Sequence, residues 1–181
     1  EPDTQRLGRR IVEDGERLLR MIDNLLDTTR LEEGRRPMQP TATSLRAAAD
    51  AALGEVAERA RLSEVAVTVD VAADIVLSLD AGALATILRN LLDNALKACV
   101  AGNGHSIIVR AQRRDGAIEL AVRDDGIGFA PEDAAMMFEK FYRLGDELRR
   151  TMAGTGLGLY IVKRLVELSG GTVAAASDGP R

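Results

Sequence analysis

The sequence predicts an α+β fold: a two-layer α/β sandwich with helices on one face of a mixed sheet, preceded by a long helix from a dimerisation bundle. Three observations carry this expectation. Segments with strand period and segments with helix period are interleaved along most of the chain. Two of the connections between them are hairpin-like. The opening stretch, by contrast, is one uninterrupted helical pattern.

That pattern runs from about Asp3 to Glu33, with Leu7, Ile11, Leu18, Ile22 and Leu25 in one apolar seam and Val12, Leu19 and Leu26 in a second beside it. Two neighbouring seams on a charged helix suit a bundle, so further helices from another chain or another segment are expected to cover them. Gly34 fits a helix stop, Arg35 and Arg36 favour the negative helix end, and Pro37 bars continuation. The domain boundary is therefore set at Gly34 to Pro40, with a partial bundle segment over 1–36 and a second domain over 37–181.

In the second domain, Met38 to Thr43 reads as a short edge strand, and Thr43 or Ser44 can cap a helix from Leu45 to about Arg61. Val65, Val67, Val69 and Val71 alternate as in a half-buried strand, and Ile75 to Leu79 forms another. Asp80 caps a helix from Ala81 to about Cys99. Ala101 to Gly104 is a turn, and Ser106 to Arg114 and Ala117 to Arg123 make a hairpin about Asp115-Gly116. Pro131 opens a short helix to about Phe138. An irregular charged segment, Arg143 to Ala153, leads into a glycine-rich turn, a helix to about Leu168 and a strand from Thr172 to Ala176.

Composition narrows the function. Lys and Arg total 24 against 28 Asp and Glu, a net charge of −4 that gives no reason to expect nucleic-acid binding. Aromatic residues are 3% with no Trp, so stacking on bases is equally unsupported. The single cysteine, Cys99, excludes an internal disulfide and suits a reducing, cytoplasmic setting. Apolar runs such as Val65 to Val69 are too short to span a bilayer, and no signal sequence is visible. The chain begins inside a helical pattern, so it is expected to be part of a longer protein whose membrane anchor, if any, lies elsewhere.

The chemistry concentrates on the helix after Asp80. Leu88, Leu91, Leu92, Ala95 and Ala98 form an apolar stripe, while Asn90, Asn94 and Lys97 line a second face along its edge. Amide oxygens are hard ligands suited to Mg²⁺, and a neighbouring Lys suits phosphate. A solvated helix face would show the same residues. Two glycine loops follow. Asp124-Asp125-Gly126-Ile127-Gly128 ends a strand and presents a carboxylate able to accept a hydrogen bond from an exocyclic base amine, although Asp-Gly also reads as a plain turn. Gly154-Thr155-Gly156-Leu157-Gly158 opens a helix and leaves backbone N–H groups for an anion, or serves as a simple hinge. A dinucleotide-fold reading fails because no βαβ unit leads into it, and a P-loop reading fails because the G-K-[ST] ending is absent.

Taken together, these segments resemble sensor histidine kinases of two-component systems. Asn90 to Ala98 looks like their N box, Asp124 to Gly128 the first glycine box, Met137 to Arg143 the F box and Gly154 to Leu159 the second glycine box. These boxes belong to the ATPase superfamily shared with DNA gyrase, Hsp90 and MutL, and Arg17 to Gly34 is similar to the second helix of the kinases' dimerisation hairpin. The resemblance implies ATP and Mg²⁺ as ligands. It implies that Asn94 ligates the metal with Asn90 assisting, that Lys97 and Arg143 meet phosphates, and that Asp124 binds the adenine amine with Gly126 and Gly128 making room. It also implies that Gly154, Thr155, Gly156, Leu157 and Gly158 wrap the phosphates beside a lid over residues 144–153, with Phe138 and Phe141 packing to seat it.

Implied partners are a cognate response regulator and a second copy, joined through the N-terminal helix and a hairpin helix absent from this sequence. No nucleic acid and no membrane contact are expected of this segment. ATP-hydrolysing cousins carry a Glu four residues before the metal-binding Asn; here Asn90 stands there, and an amide cannot act as general base. Transfer to a side chain is therefore expected in place of fast hydrolysis. The sequence also departs from the family. Ala98 and Cys99 replace an aromatic residue near the adenine, the last strand beyond Gly179 is missing, and the phosphoacceptor histidine is absent. His105, the sole histidine, lies in a turn on the wrong element, so the segment is not expected to phosphorylate itself. A non-catalytic nucleotide-sensing dimerisation module and an anti-sigma-type serine kinase are the alternatives.

Overall fold

The computed structural model describes residues 7, 8, 12, 15, 18, 19, 21, 22, 24–26, 28, 29, 31–33, 38–143 and 154–180. Ile11 of the first seam, the Gly34 to Pro37 stop and the 144–153 lid lie outside these residues. The chain divides into two compact units, Glu1–Arg36 and Pro37–Arg181.

In the first unit the described residues from 7 to 32 are helical. Thr28 and Thr29 hydroxyls donate to the carbonyls of Asn24 and Leu25 at 2.7 and 2.9 Å, one turn back along the helix. Leu7, Leu18, Ile22 and Leu25 of one seam and Val12, Leu19 and Leu26 of the other are all exposed. Among the described residues, both apolar stripes are uncovered.

The second unit runs β1 (Thr41–Ser44), α1 (Leu45–Leu62), β2 (Ala66–Asp70), β3 (Val76–Leu79), α2 (Ala81–Gly102), β4 (Ser106–Arg114), β5 (Ala117–Asp124) and α3 (Gly158–Leu168). The strands form two sheets. β1 pairs antiparallel with β3, while β4 pairs parallel with β2 and antiparallel with β5, giving a mixed sheet in the order β2-β4-β5. Register puts Val69, Val109 and Val122 in one inward row and Val67, Ile107 and Asp124 in the next. Asp124 thus closes an otherwise apolar row at the end of β5. The opposite face is solvated, with Asp70 paired to Arg110 at 2.8 Å and Gln112 to Glu119 at 3.0 Å.

Helices cover the inward face. Ser44 caps α1, its side chain accepting from the Ala47 N–H, and Leu45, Ala49, Ala52, Val56 and Ala60 recur at helical spacing as its buried stripe. Asp80 caps α2: one carboxylate oxygen accepts from Ala83 N at 2.8 Å and the other from Gln39 N at 3.1 Å. Leu84, Leu88, Leu92, Ala95, Leu96 and Cys99 of α2 join that stripe, Ile107 and Val109 in one core. α2 ends at Asn103 in the left-handed region, whose N–H returns to Cys99 O. Asp115 and Gly116, at φ 51° and 79°, form the left-handed pair that a two-residue hairpin needs.

Two expectations are corrected. Pro131 opens no continuous helix: Pro131–Asp133 and Met136–Phe138 are separate single turns of 3-10 helix, because the second restarts without a side-chain cap and stops at Glu139 in extended backbone. Residues 172–176 form no paired strand; Val173 and Ala175 are half-buried in alternation, but no neighbouring backbone among the described residues supplies a ladder. No described helix is long and apolar enough to cross a membrane.

Two substitutions test this packing by urea unfolding. Leu88→Ala, at a fully buried position, is expected to cost about 2–5 kcal/mol. Gly54→Ala, inside α1 with nothing within 4 Å of the added carbon, is expected to stabilise by about 0.5–1 kcal/mol.

Candidate functional site

One face of α2 gathers most of the polar groups singled out in the sequence. Asn90 donates through Nδ2 to Thr86 O at 2.8 Å, one turn back, which ties down its nitrogen and turns Oδ1 away from its own helix. That oxygen faces the start of α3: a carbon added to Gly158 would lie 2.8 Å from Asn90 Oδ1 and 3.9 Å from Asn94 Nδ2. A side chain there would require Asn90 to shift. α3 begins without a side-chain cap, so its positive end meets the two amides directly.

One turn further along the same face, at Ala98, α2 meets the Asp124 loop. Ile127 N donates to Ala98 O at 3.1 Å. The backbones are so close that a side chain on Gly126 would run into Ala98 and Cys99, and one on Gly102 into Gly126 and Ile127. Asp124 Oδ1 accepts from Gly126 N at 3.0 Å, closing a local turn that fixes the carboxylate at the loop's mouth. Asp125 is held by different donors. Its Oδ1 accepts from the backbone N–H groups of His105 and Ser106, each at 2.9 Å, and sits 3.7 Å from Cys99 Sγ. The Ser106 N–H, followed by that of His105, holds its carboxyl below the usual range. Burial, reinforced by Asp124 and Asp125, pushes the Cys99 thiol up to about 11.

The glycine loop before α3 is braced from the other side. Phe141 N donates to Gly156 O at 2.9 Å, and Gly156, at φ 71°, lies against the Phe141 backbone. Phe141 itself takes φ 60°, a conformation costly for a bulky residue. Phe138 is buried, Tyr142 donates to Asp133 at 2.6 Å and Lys163 pairs with Glu139 at 2.9 Å. Arg143 is exposed and lies two residues beyond this brace.

The predicted residues thus separate into groups. Asn90, Asn94 and Gly158 meet, and Asp124 and Gly126 join the same face of α2 from its other end. By helical rise, Asn90 and Ala98 are about 12 Å apart. Gly128, at φ 63°, abuts Gly179 and Ser177 instead of α2. Thr155 Oγ1 accepts from Leu157 N at 3.2 Å, turned into its own loop. Lys97 Nζ sits 2.5 Å from Asp93 Oδ2, and Asp93 Oδ1 accepts from Arg59 Nη1 at 2.8 Å. Sequence reasoning missed this Arg59–Asp93 link because the residues are far apart in the chain. It also took Gly102 for an ordinary turn residue; the small residues at the α2 terminus were the available sign.

Hard amide oxygens beside an uncapped helix end suit a cation carried in with phosphates. Among the described residues no group of three His, Cys, Asp or Glu is placed to hold a metal. A shallow depression of about 410 Å³ lies elsewhere, between β1, α1 and the start of α2. It is lined by small residues and has none of this chemistry.

Residues 79–181 match the family described as histidine kinase-, DNA gyrase B-, and HSP90-like ATPase. The circadian input-output histidine kinase CikA of Synechococcus elongatus is 35% identical over 170 residues, 92% of this chain and 22% of that protein. The sensor-like histidine kinase SenX3 of Mycolicibacterium smegmatis is 32% identical over 174 residues, 96% of this chain and 45% of that protein. The chain spans less than half the length of these curated relatives. Full-length ShkA in complex with AMPPNP matches with a TM-score of 0.78 at 27% identity, covering 93% of this chain and 35% of that one.

Cys99 provides a direct check on the loop packing. Because the thiol is raised to about 11, the native chain at pH 8 is expected to resist alkylation, with labelling accelerating only as the pH nears that value or after unfolding. Rapid labelling of the folded chain at pH 8 would contradict the packing of Cys99 behind Asp125.

Proposed function

Because the chain belongs to the histidine kinase-, DNA gyrase B-, and HSP90-like ATPase family, we propose that it is the ATP-binding catalytic region of a sensor histidine kinase. Its reaction is transfer of the terminal phosphoryl group of ATP to a histidine of a dimerisation hairpin, for relay to a response regulator. The observation that carries the reading is the shared face of α2. The amides of Asn90 and Asn94 meet the α3 start there, and the Asp124 loop docks one turn beyond them.

In this reading the adenine lies at the Asp124 end and the phosphates at the Asn90 end. Asp124 accepts a hydrogen bond from the exocyclic amine, and the glycines beside it let the ring approach backbone. Asn94, with Asn90 assisting, would hold Mg²⁺, which would supply positive charge to the phosphates. The N–H groups of Gly154 to Gly158 and the α3 dipole take up phosphate charge, Lys97 adds a cation, and Arg143 serves the terminal phosphate. A histidine nitrogen attacks the terminal phosphorus as the bond to ADP breaks, and the protein's part is placement and charge compensation.

His105 is not that nucleophile. It is exposed at the head of β4, its backbone N–H is committed to Asp125 and Nδ1 lies 3.4 Å from Glu64 O. The acceptor belongs to a hairpin helix outside this sequence, and the two uncovered seams of the N-terminal helix suit pairing with that helix and with a second copy. Asn90 stands where a water-activating base would be needed, which favours transfer over hydrolysis.

Calorimetric titration tests the ligand. ATP with Mg²⁺ is expected to bind, Asp124→Asn to weaken binding by about tenfold or more, and Asn94→Ala to abolish its Mg²⁺ dependence. Labelling of a supplied hairpin carrying its histidine tests the reaction: an acid-labile phosphoprotein is expected. No heat at millimolar ATP would overturn the reading, and acid-stable label would redirect it to a hydroxyl acceptor.

A further inference from the structure

Lys97, the cation assigned to phosphate, is held in this structure by Asp93 one turn back on α2. Each oxygen of Asp93 has its own cation: Oδ2 takes Lys97 and Oδ1 takes Arg59, which reaches across from α1. The Asp93 side chain is largely covered, at 29% exposed, whereas Arg59 is 54% exposed and stands on α1, a different helix from Asn90 and Asn94. A covered carboxylate left without a cation is costly, and the cost rises with its burial. Lys97 therefore leaves Asp93 easily only if another cation stays behind.

We propose that Arg59 is a positioning residue for nucleotide binding: by staying on Asp93 Oδ1 it compensates the carboxylate and releases the Lys97 ammonium to the phosphates. Without Arg59, Asp93 depends on Lys97 alone and holds it back. The dependence is expected to be specific to phosphate, because the group released is a cation and adenosine carries no phosphate for it to meet. The inference rests on the reading that Lys97 meets phosphate, and its test separates the two.

The 181-residue chain is titrated with ATP and, separately, adenosine, in Mg²⁺, as wild type and as Arg59→Ala, Asp93→Asn, the double variant and Lys97→Ala. Arg59→Ala is expected to weaken ATP binding about three- to tenfold while leaving adenosine binding unchanged. Asp93→Asn combined with Arg59→Ala is expected to restore wild-type ATP affinity, since an amide no longer retains Lys97. Arg59→Ala binding ATP as wild type does, weakening both ligands alike, or remaining weak in the double variant would each overturn the inference. If Lys97→Ala loses no preference for ATP over adenosine, the phosphate role of Lys97 falls and the inference with it. Thermal unfolding of each variant distinguishes general destabilisation from the ligand-specific effect.

Discussion

The second unit depends on one seam in which backbone meets backbone: α2 at Ala98 and Cys99 against the loop at Gly126 and Ile127. Its single hydrogen bond, Ile127 N to Ala98 O, is modest in energy. What matters is the distance it imposes. With glycine on both sides, at Gly102 and Gly126, the loop that follows the Asp124 carboxylate lies flush on the helix, one turn beyond Asn94. A side chain at either position would separate the two halves of the site without touching a ligand.

The amphipathic periods of α1 and α2, the Asp80 cap and the hairpin about Asp115-Gly116 were legible in the sequence because each is a local pattern with a local cause. The meeting of Asn90 and Asn94 follows equally from local spacing, since a helix fixes which residues share a face. What escaped depends on tertiary partners. Val173 and Ala175 alternate as a strand would, yet a ladder requires a second backbone. The split between β1–β3 and β2–β4–β5 likewise depends on which edges meet. The Lys97–Asp93 pair is an i,i+4 contact within one helix, but the Arg59 link to Asp93 was invisible because Arg59 comes from another helix.

Electrostatics divides the two neighbouring aspartates of the loop into separate tasks. Asp125 is consumed by backbone donors at the head of β4 and behaves as a structural tie. Asp124 lies on the inward row of the sheet, in register with Ile107, and is oriented by the N–H of Gly126. Asp124 is the last residue of β5 and Asp125 lies just beyond it, beside Cys99 of α2, so the two neighbouring carboxylates are held by different backbone donors.

The double use of Asp80 has a mechanical corollary. Its two oxygens tie the first turn of α2 to the backbone of Gln39, just ahead of β1, and β1 is itself laced along β3, which leads straight into that cap. The backbone of Gln39 and the first turn of α2 therefore share one anchor, at the root of the helix that carries Asn90 and Asn94.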